Sequence, residues 1–170
     1  MIPPGGFDAV RDALLRQVAS PDVVDATLYR FLGVPIQNGE SIVFHYEDSF
    51  GGASIGCSGH AQVIQSDGEW IVDMIRTFCS PAVIGVPVTV YRSEGLDESG
   101  TLSLIVFGEI YDAAVVAIRV EHDGGSTNAL LSGGAFHAFL PMDATGIILR
   151  AYDAEGGQLF EGTPPPGAAA

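Results

Sequence analysis

Leu102-Ser103-Leu104-Ile105-Val106-Phe107-Gly108-Glu109-Ile110 is the stretch that decides the fold class. Leu102, Leu104, Val106 and Ile110 share one face of an extended chain. Ile105, Phe107 and Tyr111 share the other, beside Thr101, Ser103 and Glu109. Successive side chains of a strand point to opposite faces, and a sheet wetted on one side carries mostly polar residues there. This strand therefore needs cover on both sides. Residues 135–140 behave alike, with Phe136, Ala138 and Leu140 inward and Ala135, His137 and Phe139 outward. Phe107 and Phe139 are expected to be buried, either under the N-terminal part or in a chain–chain interface.

Outward from this strand, β patterning continues. Val116, Ile118 and Val120 form the next strand, followed by 129–131, 136–140, 147–152 and 158–160. Turn signals separate them: Asp97-Glu98-Ser99-Gly100, His122-Asp123-Gly124-Gly125, Asp143-Ala144-Thr145-Gly146 and Asp153-Ala154-Glu155-Gly156-Gly157. That spacing marks an antiparallel sandwich or barrel. Upstream, residues 60–78 read as a hairpin, Ile42, Phe44 and Tyr46 as a strand, and Val86, Val88 and Val90 as an edge strand marked by Pro87. Phe7, Val10, Leu14 and Val18 give one amphipathic helix. Residues 22–34 conflict: Ser20-Pro21-Asp22 starts a helix, yet β-branched and aromatic residues follow, and 26–34 is assigned as strand.

The expected fold is mainly β, an antiparallel immunoglobulin-like sandwich preceded by a helix-plus-sheet segment. The segments are a linker at 1–6, helix plus twisted sheet at 7–95, immunoglobulin-like β at 96–162, and a Pro/Ala-rich extended tail at 163–170.

The 170 residues carry 7 basic side chains, all arginine, against 21 acidic ones, a formal net charge of −14. Such a chain repels phosphate backbones and anionic lipid surfaces, which excludes nucleic acid as a partner. With 47% hydrophobic residues and a mean hydropathy of +0.31, there is ample apolar surface to bury. No stretch reaches the roughly 18 apolar residues of a membrane span. No secretory leader is visible, and Pro3-Pro4-Gly5-Gly6 suits a linker left after a leader or anchor is removed.

Cys57 and Cys79 are the only cysteines. They are too few for a four-cysteine zinc site and are not spaced as a C-x-x-C redox motif. Two readings stand: buried free thiols of a cytosolic core, or a disulfide and with it an exported location, which is the expectation.

Chemistry is sparse. His45, His60, His122 and His137 show no metal-binding spacing and read as surface or turn residues; no metal or cofactor is expected. Cys57 lies three residues before His60, which places the two on opposite faces of an extended chain. Gly51-Gly52-Ala53-Ser54-Ile55-Gly56 lacks the lysine and helix of a phosphate loop. The acidic turns are dispersed and contain no calcium loop. Trp70 alternates with Val72 and Met74 toward the core, and Arg76 on that face is expected to pair with a buried acid.

Gly108-Glu109-Ile110-Tyr111-Asp112, Val115 to Val120, Asp123-Gly124, Gly133-Gly134-Ala135-Phe136 and Arg150-Ala151-Tyr152-Asp153-Ala154-Glu155-Gly156 together resemble the immunoglobulin-like modules of secreted and surface-anchored proteins of high-GC bacteria. Ala26 to Arg30, Cys57, Gly68-Glu69-Trp70 and Cys79 are similar to the domain that often precedes such a module. The resemblance implies an extracytoplasmic bacterial protein and transfers no catalytic residue. The expected role is an accessory or structural module that binds other protein chains, through Ile105, Phe107, Phe139 and Ile148. The alternatives are a small-ligand or sensor domain with a pocket between the N-terminal helix and the sheet, and a hydrolase using Cys57 or a histidine.

Overall fold

The computed structural model describes residues 5–80 and 85–165. The chain is mainly β, with antiparallel sheets. It forms two compact units, Met1–Ile84 with Glu98–Gly100, and Gly85–Asp97 with Thr101–Ala170.

The first unit runs α1 (Gly5–Leu15), α2 (Pro21–Thr27), β1 (Tyr29–Ile36), β2 (Gly39–Phe50), β3 (Ala53–Ser66) and β4 (Glu69–Cys79). Its sheet has the order β1-β2-β3-β4, all antiparallel. One face of β2 and β3 supplies Ile42, Phe44, Tyr46, Cys57, Ala61 and Val63 to a core completed by Val10 and Leu14 of α1 and Val24 of α2. Val10 and Leu14 are one helical turn apart and both buried, as the amphipathic pattern requires.

Helix α1 begins at Gly5, inside the expected linker; residues 1–4 lie outside the described residues. Glycine is a poor helix former, so packing decides here. A Cβ on Gly5 would stand 3.0 Å from Trp70 Cδ1, and one on Gly6 3.0 Å from Val63 Cγ2. The bare backbone of the first turn lies against the indole, an approach larger residues would obstruct.

The strand expected over 26–34 begins only at Tyr29: 29–34 lie in β1, whereas Ala26 and Thr27 close a helix. Pro21 opens a short helix, and burial of Val24 outweighs the strand preference of Val23 and Val24. Thr27 ends it: its Oγ1 donates to the Val23 carbonyl at 2.9 Å and accepts from the Glu47 amide at 2.8 Å, tying α2 to β2. Gly51 and Gly52, with φ of 60° and 85°, form the two-residue turn of the β2–β3 hairpin. Left-handed φ at both central positions suits the twist of the flanking strands.

The second unit contains β5 (Tyr91–Leu96), β6 (Leu102–Glu109), β7 (Ala117–His122), β8 (Gly125–Asn128), β9 (Leu130–Ser132), β10 (Ala135–Pro141), β11 (Ile148–Tyr152) and β12 (Gln158–Gly162). Two four-stranded sheets, β5-β6-β10-β9 and β12-β11-β7-β8, share one core. Leu104, Val106, Phe136, Ala138 and Leu140 enter it from the first sheet, and Ile118, Val120, Leu149 and Ala151 from the second.

The strand expected at 86–90 does not form. Pro87 has no amide hydrogen, and its carbonyl instead accepts the Tyr111 amide at 2.8 Å. Val88 makes a single bridge to Ile110, and the strand proper is β5, which pairs with β6. Residues 85–95, expected with the first segment, thus belong to the second unit. Leu102, expected inward, is exposed at the first position of β6. On the outer face of the second sheet, Arg150 pairs with Glu121 of β7 and donates from Nε to Glu161 of β12 at 3.0 Å.

Candidate functional site

Cys57 and Cys79 face each other directly across β3 and β4 and form a disulfide, with an S–S distance of 2.04 Å. Cys57 is fully buried, while Cys79 is exposed. The Tyr46 hydroxyl lies 3.6 Å from Cys79 Sγ, and burial pushes that phenol above its ordinary pKa. A disulfide sulfur is not a thiolate, so Cys57 carries no nucleophile in this state. His60 projects from the opposite face of β3. Its Nε2 lies 2.7 Å from Ser41 Oγ, to which Gln62 Nε2 also donates at 3.4 Å.

A serine beside an imidazole has the composition of a nucleophile and base. However, Ser41, His60 and Gln62 are at most 1% exposed, so the serine cannot reach a substrate and the trio satisfies buried polar groups. His60 and His137 are therefore core residues, contrary to their reading as surface or turn residues. The sequence offered no signal for Ser41, because its partner lies 19 positions away on a neighbouring strand. Burial holds His137 neutral, its pKa pushed down to about 3.

Arg76 is half-buried opposite His60 and makes no ion pair among the described residues. Among the described residues, two carboxylates of the unit are buried, Glu40 and Asp48 of β2, and Arg30 of β1 pairs with Glu40, which is 1% exposed. Burial raises the Glu40 pKa, and the Arg30 guanidinium opposes that shift.

Among the interaction candidates, Ile105 and Phe107 are completely buried within the single chain, and Phe139 and Ile148 are half-buried. The exposed apolar side chains lie elsewhere. Tyr111, Val116 and Leu130 are 57%, 55% and 54% exposed. Tyr111, Val116 and half-buried Leu131 line a groove of about 430 Å³ in the second unit, with buried Val115 beneath, while Leu130 lies on the other face of β9, opposite His137. Val116 was expected inward on a strand. It instead precedes β7 in a segment folded on Asp112, whose Oδ1 accepts the Ala114 amide and whose carbonyl accepts the Val115 amide.

A second groove, of about 540 Å³, runs between α1 and β4 in the first unit. Ala9 and Ala13 face Trp70, Val72 and Ile75 across it, with Arg16 and Asp73 at its walls. Small helix residues at these positions leave the space open. Trp70 is half-buried there and is not fully enclosed in the core. Among the described residues, no group of three His, Cys, Asp or Glu side chains is placed to hold a metal ion, and no helix is long and apolar enough to cross a membrane.

No protein-family model matches the chain, and no curated protein or solved structure matches it.

Proposed function

We propose that this is an extracytoplasmic accessory module whose task is to bind another protein chain. The observation that carries the reading is the pair of exposed side chains Tyr111 and Val116 on an apolar-floored groove that half-buried Leu131 completes. Contiguous exposed apolar surface rimmed by polar residues marks interaction sites. The disulfide is compatible with an oxidising compartment. The strand orders also support an immunoglobulin-like reading of the second unit. Lettering β5 to β12 as A, B, C, C′, D, E, F and G turns β5-β6-β10-β9 into A-B-E-D and β12-β11-β7-β8 into G-F-C-C′. The resemblance to secreted bacterial modules belongs to the same proposal.

The test is site-specific photo-crosslinking in the native host, with a benzophenone side chain at Val116 and a control at Glu155. A discrete adduct from Val116 that disappears with Tyr111→Asp supports the reading. Equal adducts from both sites, or none, refute it.

A second reading is favoured by the groove between α1 and β4: a small-ligand or sensor site. Its volume lies within the usual 300–1,000 Å³ range for such sites, order-of-magnitude limits that roughly bracket it.

A further inference from the structure

Resting on this second reading, we propose that the α1–β4 groove takes a zwitterion with an apolar body, of the amino-acid or short-peptide class. Ala9, Ala13 and Trp70 provide the apolar floor. The walls carry opposite charges: Arg16, just past the end of α1, on one side, and Asp73 of β4 on the other. Asp73 stands there because of a bulge. Val72 pairs with Val63 and Met74 with Gln62, which leaves Asp73 unopposed in the ladder. A bulge re-aims a side chain and recurs next to binding sites.

Both side chains are exposed. Neither makes a hydrogen bond or ion pair among the described residues, with each other or with anything else. Asp12, four residues before Arg16, adds a second carboxylate to the helix wall, 3.9 Å from Arg11. Opposite charges held apart over an apolar trough match a molecule whose ammonium and carboxylate are a few atoms apart. The excess of carboxylates makes the ammonium end the better-held one, and the chain's net charge of −14 acts in the same sense.

Trp70 is the only tryptophan, so its emission reports directly on this groove. Four probes share one apolar body: L-phenylalanine, phenethylamine with the cation alone, 3-phenylpropanoate with the anion alone, and neutral 2-phenylethanol. The expected order of saturable binding is that same order, with the neutral alcohol weakest. Asp73→Asn should weaken L-phenylalanine and phenethylamine roughly three- to tenfold and leave 3-phenylpropanoate unchanged. Arg16→Gln should weaken L-phenylalanine and 3-phenylpropanoate and leave phenethylamine unchanged. Both substitutions are on exposed side chains, and circular dichroism verifies the fold. Equal binding of all four probes, or binding indifferent to both substitutions, overturns the zwitterion and leaves the small-ligand reading standing. No saturable response to any probe up to about 10 mM overturns both.

Discussion

Replacing His137 with leucine should remove a large part of the protein's acid sensitivity. His137 sits in β10, opposite Phe107 of β6 and 4.6 Å from the Phe139 ring, and is 1% exposed. Burial lowers its pKa from 6.5 to about 3, with a backbone hydrogen bond opposing the shift. The folded-state value is depressed, so the folded protein stays neutral at this site while the unfolded chain takes a proton below about pH 6.5. The contribution is fully present above that value and is lost as pH falls toward about 3. Each pH unit in the window removes about 1.4 kcal/mol, so about 3 kcal/mol is gone by about pH 4.5. Leucine is of similar volume and does not titrate. Urea unfolding followed by circular dichroism at about pH 7 and 4.5 gives the loss for each protein, and the loss should be about 3 kcal/mol smaller in His137→Leu. Other groups contribute equally to both and cancel. Equal losses, or an NMR titration of the His137 Cε1 proton with its midpoint near 6, would refute the reasoning.

Reducing the Cys57–Cys79 disulfide, which spans 22 positions, should cost about 3 kcal/mol and lower the melting temperature by several degrees, read from thermal melts with and without phosphine. Reduction should be slow under native conditions, because attack at exposed Cys79 expels the Cys57 thiolate into the core; rapid reduction of the folded protein contradicts this. Arg30→Gln should strand the Glu40 carboxylate and destabilise by up to about 3 kcal/mol at pH 8. Burial already holds the Glu40 pKa above its ordinary value, so the folded state keeps a proton the unfolded chain gives up. Stability therefore falls as pH rises through that window, and the Arg30→Gln penalty should vanish near pH 4 in chemical denaturation. Gly59→Ala should drive a methyl into the fully buried Phe44 ring and cost about 1–3 kcal/mol in the same assay.

Much of the architecture was legible because it rests on period-two alternation and turn chemistry. The two-faced apolarity of 102–110 anticipated a strand covered on both sides, and Ile105 and Phe107 are fully buried. Illegible features depended on partners distant in sequence. Val24 overrides strand propensity only because a core exists to receive it. Gly5 and Gly6 look like a linker until Trp70, more than sixty positions away, is seen beneath them. The candidate sites were hidden for similar reasons. The bulge that releases Asp73 is a mismatch between two strands, a property of the pair that neither strand carries alone. Tyr111 and Val116 have the composition of core residues, and only the fold of the Asp112 turn leaves them outside.

The ion pairs of Arg150 with Glu121 and Glu161 fasten the five-residue edge strand β12 to the interior of its sheet. Beyond β12 come Thr163, Pro164 and Pro165, the last two without amide hydrogens. An approaching strand thus meets carboxylate and guanidinium along this border and a ladder that ends at proline. Charge and proline are the devices by which sheet edges resist edge-to-edge growth. Because Glu161 is exposed and its partners are only half-buried, concentrated salt weakens the clasp, and β12 becomes the place where fraying of this sheet would begin.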